Sequence, residues 1–291
     1  MAELLRGAPV AARITEELSL RVDALKARGA RPRLALVRVG EREDDLAYER
    51  GAVKRAGKVG VEVERHVLPA DCAQADLMAA IDAVDGDSAV HGCLLFRPLP
   101  AHLDEDAACA ALDPAKDVDG ITPGALFGVF ANRPVGFPPC TAEAVVELLE
   151  RSGIPLSGAR VTVVGRSLVI GRPVAQMLLA RDATVTTCHT RTRDLAAACR
   201  AAEVLVVACG HAGTVGADAV APGQTVVDVG INWDEAQGRL VGDVAFDEVE
   251  PIVAAITPVP GGVGSVTTAV LMAHVIEACE RSMRKDDDGS R

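Results

Sequence analysis

The sequence predicts an α/β fold with two domains, because strand patterns alternate with helix patterns in two separate series along the chain. The chain has 291 residues, 49% of them hydrophobic, yet it has only five Phe, one Trp and one Tyr. Its core must therefore be built from Ala, Val and Leu, which suits parallel strands covered by helices. The length favours two domains, although one large α/β domain remains the alternative.

The first series predicts a βαβαβ arrangement with a parallel sheet in residues 1–139. Strands fit three apolar runs, "RPRLALVRVG", "VEVERHVLP" and "VHGCLLFRPLP". Helices fit the periodic runs "VAARITEELSLRVDALKARG", residues 44–60 and "ADLMAAIDAVDGD". The Gly- and Pro-rich stretch "LDPAKDVDGITPGALFGVFANRPVGFPPC" has no clear period, so we interpret it as loops at a domain junction.

The second series predicts a doubly wound Rossmann sheet in residues 140–266. It opens with the helix "TAEAVVELLERSG", for which Thr141 is the expected N-cap. Five strands then fit "ARVTVVG", "ATVTTCH", "EVLVVACG", "TVVDVGI" and "VAAITPV". A final helix over 267–283 is expected to join the first domain, and the charged tail 284–291 is expected to be disordered.

Charge and cysteine usage exclude several classes of function. The formal net charge of -11 argues against non-specific binding to nucleic acid and to anionic membranes. The eight cysteines lack a C-x-x-C pair and the six histidines show no metal-ligand spacing with them, so we expect buried reduced thiols and no metal site. Without a signal-peptide pattern or an apolar run long enough to span a membrane, we expect a cytoplasmic protein.

A strand–loop–helix segment, "VTVVGRSLVIGRPVAQMLLA", indicates a nucleotide site. Gly165 and Gly171 would let the backbone approach a pyrophosphate at the helix N-terminus, and Arg166, Ser167 and Arg172 could bind phosphate. The spacing is G-x5-G and departs from the usual G-x-G-x-x-G. A tight turn without a ligand is therefore the alternative interpretation.

The end of the next strand distinguishes the two nicotinamide cofactors. A carboxylate there favours a free ribose 2′-hydroxyl, whereas a basic residue favours a 2′-phosphate. Thr190 and Arg191 lie at this position, and the nearest acid is Asp194. The pattern favours NADP, with NAD as the alternative. Arg191 and Arg193 could equally belong to a solvated surface loop.

The segment "TPVPGGVGSVTTAVLM" follows the last predicted strand and indicates a second ligand site. Gly261, Gly262 and Gly264 around Val263 predict a sharply bent loop that leads into a helix capped by Thr267. A helix N-terminus beside the carboxyl edge of a sheet favours ligand binding.

These motifs together resemble the methylenetetrahydrofolate dehydrogenase/cyclohydrolase family. "KDVDG", "PPCTAEAV", "VGRSLVIGRP", "DVGIN", "GDV" and "TPVPGGVG" all occur, and the similarity extends over essentially the whole chain. The resemblance implies an N-terminal α/β catalytic domain, a Rossmann NAD(P)-binding domain, a cleft between them and a homodimer formed through the Rossmann domain. It also implies oxidation of 5,10-methylene- to 5,10-methenyl-tetrahydrofolate and hydrolysis of the methenyl bridge.

The resemblance also assigns roles to individual residues. Asp119 would hold the donor edge of the pterin bidentately, although Asp117 and Asp119 could instead be Asx-turn residues. Tyr48 would act beside Asp119 in catalysis. The folate pocket would include Pro260, Gly261, Gly262 and Val263, and the cofactor would contact Gly165, Arg166, Ser167, Ile170, Gly171, Thr190, Arg191 and Ile231.

The family's catalytic helix has the form G-x4-S-x2-Y-x3-K-x-K, and this chain departs from it. Counted from Gly40, Asp45 stands for the serine, Tyr48 for the tyrosine, Ala52 for the principal catalytic lysine and Lys54 for the second lysine. Residues 48 and 52 share a helix face. Lys54 lies about 200° round from Ala52 and should point away.

A second departure concerns the catalytic lysine's partner, because Phe96 replaces the family glutamine that hydrogen-bonds it and Arg97 follows. Lys58 is not the missing lysine. Arg55 is on the side of Ala52, but a guanidinium is a poor acid–base substitute. Smaller departures are Ser265, Val266, Ala142 and Ala144.

Three hypotheses follow. Hydride transfer depends largely on orientation, whereas hydrolysis needs a tuned proton-transfer group, so the first hypothesis is an NADP-dependent dehydrogenase with weak or absent cyclohydrolase activity. The second is a repurposed member acting on another folate-like or one-carbon-bridged substrate. The third is a non-catalytic folate- or nucleotide-binding protein.

Overall fold

The structure is a computed structural model that describes residues 1–235 and 238–289, the last five of these as backbone only. The strands are β1 (Glu3–Leu4), β2 (Arg33–Val39), β3 (Glu62–Leu68), β4 (Gly92–Leu95), β5 (Arg160–Val164), β6 (Thr184–Cys188), β7 (Val204–Val207), β8 (Thr225–Asp228), β9 (Asn232–Asp234), β10 (Arg239–Val241) and β11 (Ala255–Ile256). The helices are α1 (Gly7–Ala27), α2 (Glu43–Val59), α3 (Gln74–Gly86), α4 (Glu105–Ala111), α5 (Pro123–Ala131), α6 (Cys140–Arg151), α7 (Gly171–Leu179), α8 (Leu195–Arg200), α9 (Phe246–Val249) and α10 (Gly264–Gly289).

The chain divides into two compact units. The three-stranded unit comprises Arg13–Cys140 and the residues from Thr268 onward, and the six-stranded unit comprises Met1–Ala12 and Thr141–Thr267. The prediction had assigned the first twelve residues to the N-terminal domain. They lie in the six-stranded unit because β1 pairs in parallel with β11, a contact that two residues of sequence cannot reveal.

The three-stranded unit has a parallel sheet in the order β3-β2-β4. Its central strand β2 is almost wholly buried, as expected for a parallel strand covered on both faces. The core under the sheet is aliphatic and includes Val37, Leu77, Ile81 and Leu95. These are the strands and the βαβαβ order that the sequence predicts.

The six-stranded unit has the strand order β1-β11-β8-β7-β5-β6, with every pair parallel. The chain passes from β5 to β6 on one side and then to β7 on the other, so the strand order reverses at the carboxyl end of β5. Ligands bind at such a reversal in open α/β sheets. The five predicted strands are confirmed, and the short strands β1, β9 and β10 were not predicted.

Two helices were not predicted: α4 lies where the sequence indicated no element, and α5 lies in the stretch interpreted as loops. α4 begins after Asp104, whose carboxylate accepts a hydrogen bond from the Ala107 N–H at 2.9 Å. α5 begins after Thr122, whose hydroxyl accepts one from the Ala125 N–H, and ends at Asn132 with a φ of 49°. The Gly and Pro residues in the segment that forms α5 obscured its helical period of apolar residues, although Thr-Pro is a normal start of a helix.

Three predictions about helix ends are wrong. α6 starts at Cys140, so Thr141 lies within the helix and is not its N-cap. α10 starts at Gly264, and Thr267 donates its hydroxyl back to the Val263 carbonyl at 3.4 Å instead of capping. The same helix continues to Gly289 because no proline stops it, which corrects the predicted disorder over 284–289; residues 290–291 lie outside the described part of the chain.

None of the eight cysteines, all of which lie in the described residues, is paired with another, and all except the half-buried Cys209 are buried, as predicted. Within residues 1–235 and 238–289, no helix is both long and apolar enough to cross a membrane.

Candidate functional site

Two residues of α2 that depart from the family pattern, Asp45 and Ala52, lie on its buried face. Its buried residues are Asp45, Glu49, Ala52, Ala56 and Val59, which follow helical spacing. Ala52 is 0% exposed, and Tyr48, one turn earlier, is half-buried. Lys54 and Lys58 are exposed, as the helix geometry predicts, so both ammonium groups lie off the buried face that carries Ala52.

Phe96 occupies the space beside Tyr48. The two ring centroids are 6.2 Å apart and the rings meet edge to face at 79°. Such a pair stabilises by about 0.5–1.5 kcal/mol beyond its area burial. Burial, followed by the charge of Asp119, raises the pKa of the Tyr48 hydroxyl well above its usual value, so the phenol is neutral and can donate a hydrogen bond.

The two aspartates of "KDVDG" have different roles. Asp117 is fully buried, and its carboxylate accepts hydrogen bonds from the backbone N–H groups of Ile121 at 3.0 Å and Thr122 at 2.7 Å. It therefore shapes the loop. Asp119 is half-buried. Burial and the charge of Asp117 raise its pKa to about 6, against the opposing effect of Arg97. Above that pH it is a carboxylate able to accept from a ligand.

Sequence reasoning missed two side chains that hold the Asp119 loop. The His274 Nδ1 donates to the Val118 carbonyl at 2.8 Å, and the Cys140 thiol donates to the same oxygen at 3.1 Å. The His274 ring also stacks on Phe137, with centroids 4.9 Å apart. The two contacts of His274 join residues more than a hundred positions apart, so no local pattern could have indicated them.

The two arginines near the altered positions have structural contacts. The Arg97 Nη1 lies 3.5 Å from the Glu105 Oε1, and the other oxygen of Glu105 accepts from the Leu99 N–H at 2.8 Å. Arg55 donates to the Thr15 hydroxyl at 2.8 Å and to the Thr268 hydroxyl at 3.4 Å. Burial lowers the pKa of Arg55, although a guanidinium remains protonated.

In the six-stranded unit, the loop after β5 has the form of a phosphate cradle. A Cβ on Gly165, whose φ is +128°, would lie 2.1 Å from the Ala208 carbonyl oxygen, and one on Gly171 would lie 2.4 Å from the Gly165 oxygen. Only glycine fits these positions. The Ser167 hydroxyl accepts from the Ile170 N–H at 3.1 Å, while the side chains of Arg166 and Arg172 are exposed.

The end of β6 presents cationic and hydroxyl groups without a competing acid. Thr190, Arg191 and Arg193 are exposed. Asp194, the nearest acid, is occupied as the N-cap of α8, where its carboxylate accepts from the Ala197 N–H at 2.9 Å. This arrangement suits a 2′-phosphate better than a free ribose 2′-hydroxyl.

The glycine loop and Ile231 come together within the same unit. They line a cavity of about 250 Å³, whose wall includes Pro260, Gly261, Gly262 and Val263. Val263 is buried, whereas Ile231 is 64% exposed. A Cβ on Gly264 would lie 3.9 Å from the Ile231 Cδ1, so the two parts of the cavity are in van der Waals reach.

The motifs "DVGIN" and "GDV" form the frame beneath this cavity. The Asp228 carboxylate accepts from the N–H groups of Gly230, Asp243 and Val244, each at 3.0 Å. The Asp243 carboxylate in turn accepts from the Cys209 N–H at 2.7 Å and the Asn232 side chain at 2.9 Å. Both motifs could be identified in the sequence, but their spacing did not show that the two carboxylates hold backbone N–H groups in place.

Comparison with known proteins decides the family. Residues 5–119 match the tetrahydrofolate dehydrogenase/cyclohydrolase catalytic domain, and residues 139–283 match the NAD(P)-binding domain of the same family. The bifunctional protein FolD of Carboxydothermus hydrogenoformans is 52% identical over 281 residues, which are 96% of this chain and 98% of the relative. The chain belongs to the tetrahydrofolate dehydrogenase/cyclohydrolase family.

Solved structures of family members agree with this assignment. The bifunctional FolD enzyme of Campylobacter jejuni gives a TM-score of 0.93 at 37% identity and covers 97% of this chain and 99% of its own. The dehydrogenase-cyclohydrolase of Trypanosoma brucei, solved with NADP and an inhibitor, gives 0.91 at 38% identity, with coverage of 97% and 99%. The predicted two-domain α/β fold is confirmed.

Each unit contributes its own set of candidate groups. In the three-stranded unit, Tyr48 and Asp119 carry polar groups, whereas Ala52 and Phe96 present only carbon atoms. In the NAD(P)-binding domain, the glycine cradle and the basic end of β6 are intact. Position 52 has a methyl group where the family pattern has an amine.

Proposed function

We propose that this chain oxidises 5,10-methylenetetrahydrofolate to 5,10-methenyltetrahydrofolate with NADP, and that its hydrolysis of the methenyl bridge is weak or absent. The observation that carries the second part is that Ala52 is fully buried one helical turn from Tyr48, on whose ring Phe96 packs. Membership of the family and the activities for which its relatives are named support the first part.

Folate binding is assigned to groups that fit the pterin and its one-carbon bridge. Asp119 is a carboxylate above about pH 6, and it would accept from the amino and ring N–H groups of the pterin. The neutral Tyr48 hydroxyl can donate to the same ligand. The wall formed by Gly261, Gly262 and Val263 has few side-chain atoms, so a flat ring can approach its backbone closely.

The residues of the NAD(P)-binding domain fit NADP. Gly165 and Gly171 leave space for a pyrophosphate at the N-terminus of α7, and Arg166 and Ser167 are exposed beside it. Thr190 and Arg191 would bind the 2′-phosphate, and Ile231 would pack against the nicotinamide. When bound, this cofactor provides the acceptor for the hydride. The protein's contribution is orientation and exclusion of water.

The hydrolysis requires an activated water and proton transfer, which are tasks for a group with a tuned pKa. The Ala52 methyl group can neither accept nor donate a proton. Lys54 and Lys58 face away, and the Arg55 guanidinium keeps its proton. Loss of a general acid–base group typically costs about 10²–10⁴-fold in rate, so hydrolysis should fall further than hydride transfer.

We propose in addition that the protein is a cytoplasmic homodimer formed through its NAD(P)-binding domain. Trp233 and Leu240 in that domain are exposed apolar side chains, which supports an interface there.

A repurposed activity is the second candidate. Phe96 packs on the Tyr48 ring, and the charge of Arg97 acts on Asp119, an arrangement that would suit another one-carbon-bridged substrate. Tight NADP binding without any turnover of methylenetetrahydrofolate would favour this candidate, or a non-catalytic binding role, over the dehydrogenase.

The test is an assay of purified protein with methylenetetrahydrofolate and either NADP or NAD, in which the methenyl and formyl products are followed separately. The proposal expects methenyl product to form faster with NADP than with NAD. Failure to form methenyl product with either cofactor, while NADP still binds, would contradict it. The Asp119→Asn variant is the matched control for a folate-dependent signal.

A further inference from the structure

The inward face of α2 provides little apolar packing near Tyr48. Ala52 and Ala56 are each 0% exposed, yet each buries only a methyl group. Because apolar stabilisation grows with buried area, two methyl groups define the rotation of a helix weakly. Beyond the buried Val59 at the end of the helix and the Phe96 contact of Tyr48 itself, the rotation of α2 depends on polar contacts.

Glu49, the residue after Tyr48, makes such contacts with both neighbouring strands. Its Oε2 accepts from the Arg38 Nε at 3.0 Å, and its Oε1 accepts from the Arg65 Nε at 2.6 Å. Arg38 belongs to β2 and Arg65 to β3, and these strands are adjacent in the sheet. We call these three side chains the Glu49 clamp.

The Glu49 clamp is buried at its centre. The side chains of Arg38 and Glu49 are 7% and 11% exposed, whereas that of Arg65 is 48% exposed. Arg38 also donates to the Gly40 carbonyl, at the end of β2. Burial raises the pKa of Glu49, but hydrogen bonds from Arg65 and Arg38 outweigh it and bring the pKa below its usual value. The carboxylate is thus charged and engaged through both oxygens.

We infer that Glu49 is a positioning residue, which fixes the rotation of α2 and thereby the placement of Tyr48 against Phe96. The inference rests on the proposed function in one respect, namely that Tyr48 contacts the folate. A helix rotation of about 20° would move an atom about 6 Å from the axis by roughly 2 Å. A misplacement of about 1 Å can cost on the order of 10²-fold in rate, so the clamp has the leverage to control activity.

The chain offers an unusually direct probe, because Tyr48 is its only tyrosine. Protein labelled with 3-fluorotyrosine should give one ¹⁹F resonance, which reports on Tyr48 alone. Glu49→Gln preserves the shape and removes the charge. The matched control is Glu62→Gln, since Glu62 forms an ion pair with Arg33 at 2.9 Å on the same two strands but is more exposed.

Glu49→Gln is expected to shift or broaden the Tyr48 resonance and to lower kcat/KM for the folate at least tenfold, with KM for NADP unchanged. Glu62→Gln should change neither. If Glu49→Gln does not fold, Arg65→Gln replaces it, because it leaves the Arg38–Glu49 pair intact. Arg65→Lys, which retains the charge, should recover part of the loss.

An unchanged Tyr48 resonance together with unchanged folate kinetics in a folded Glu49→Gln protein would overturn the inference, even if its Tm fell. A changed resonance in a chain that never oxidises methylenetetrahydrofolate would support the clamp and refute the proposed function instead. The two failures are therefore distinguishable.

Discussion

Restoring the missing lysine and glutamine together should restore hydrolysis. We consider Ala52→Lys, Phe96→Gln and the double variant. A correctly placed acid–base group contributes about 10²–10⁴-fold, and imperfect placement favours the lower end, so we expect the double variant to gain roughly 10²-fold, or about 2.7 kcal/mol, in methenyl hydrolysis. Each single variant should gain less, because the lysine needs its hydrogen-bonding partner.

The double variant should be less stable than the parent, so its kinetics are compared only where the unfolding curve shows a folded protein. Ala52 is fully buried, and a lysine there overpacks the site at a cost of about 1–3 kcal/mol. Replacing Phe96 removes the edge-to-face contact with Tyr48, a loss of about 0.5–1.5 kcal/mol beyond area burial. Loss of the apolar area of the buried Phe96 adds about 1.5–3 kcal/mol, so the total cost approaches the lower end of the stability of about 5–15 kcal/mol that is typical of a folded protein.

The assay measures disappearance of methenyltetrahydrofolate with each variant, beside a denaturant unfolding curve. The double variant should exceed the sum of the two singles. A folded double variant that hydrolyses no faster than the parent would refute our account of position 52. So would a parent that already hydrolyses at the rate of the double variant.

Four further outcomes are expected. Asp119→Asn should raise KM for the folate about 10- to 150-fold in steady-state kinetics, since charged hydrogen bonds contribute about 1.5–3 kcal/mol. In the unmodified protein, KM for the folate should rise as the pH falls below about 6, because Asp119 then becomes protonated. Arg191→Glu should raise KM for NADP at least tenfold and leave KM for NAD nearly unchanged, and an equal effect on both would refute the 2′-phosphate assignment. Lys54→Ala should leave kcat unchanged, because this lysine is exposed. Gly165→Ala should lower Tm and abolish NADP binding measured by calorimetry, because its Cβ would meet the Ala208 oxygen.

Elements with strong apolar periodicity could be predicted from the sequence. Strand β2 and strand β5 are short apolar runs between helices, and both lie where expected. α5 could not be predicted because Gly and Pro obscured its period. β1 could not be predicted because its two residues form a strand only by pairing with β11.

The candidate site shows a similar division. Motif spacing correctly indicated that Lys54 points away from Ala52, since this follows from helix geometry alone. Motif spacing could not show that the two aspartates differ. The Asp117 carboxylate accepts hydrogen bonds from backbone N–H groups of its loop, and no such bond is seen for Asp119 in the described part of the chain. The contacts of His274 and Glu49 join chain segments that are brought together by folding, so they can be seen only in the folded structure.

The central claim is that a chain with Ala52 and Phe96 oxidises methylenetetrahydrofolate but hydrolyses the methenyl bridge weakly or not at all. The most direct test supplies methenyltetrahydrofolate to the unmodified protein and compares the rate of formyl product formation with that in buffer alone, using a preparation that oxidises methylenetetrahydrofolate with NADP. We predict that the two rates are nearly equal. Hydrolysis at a rate comparable to the oxidation would contradict the claim.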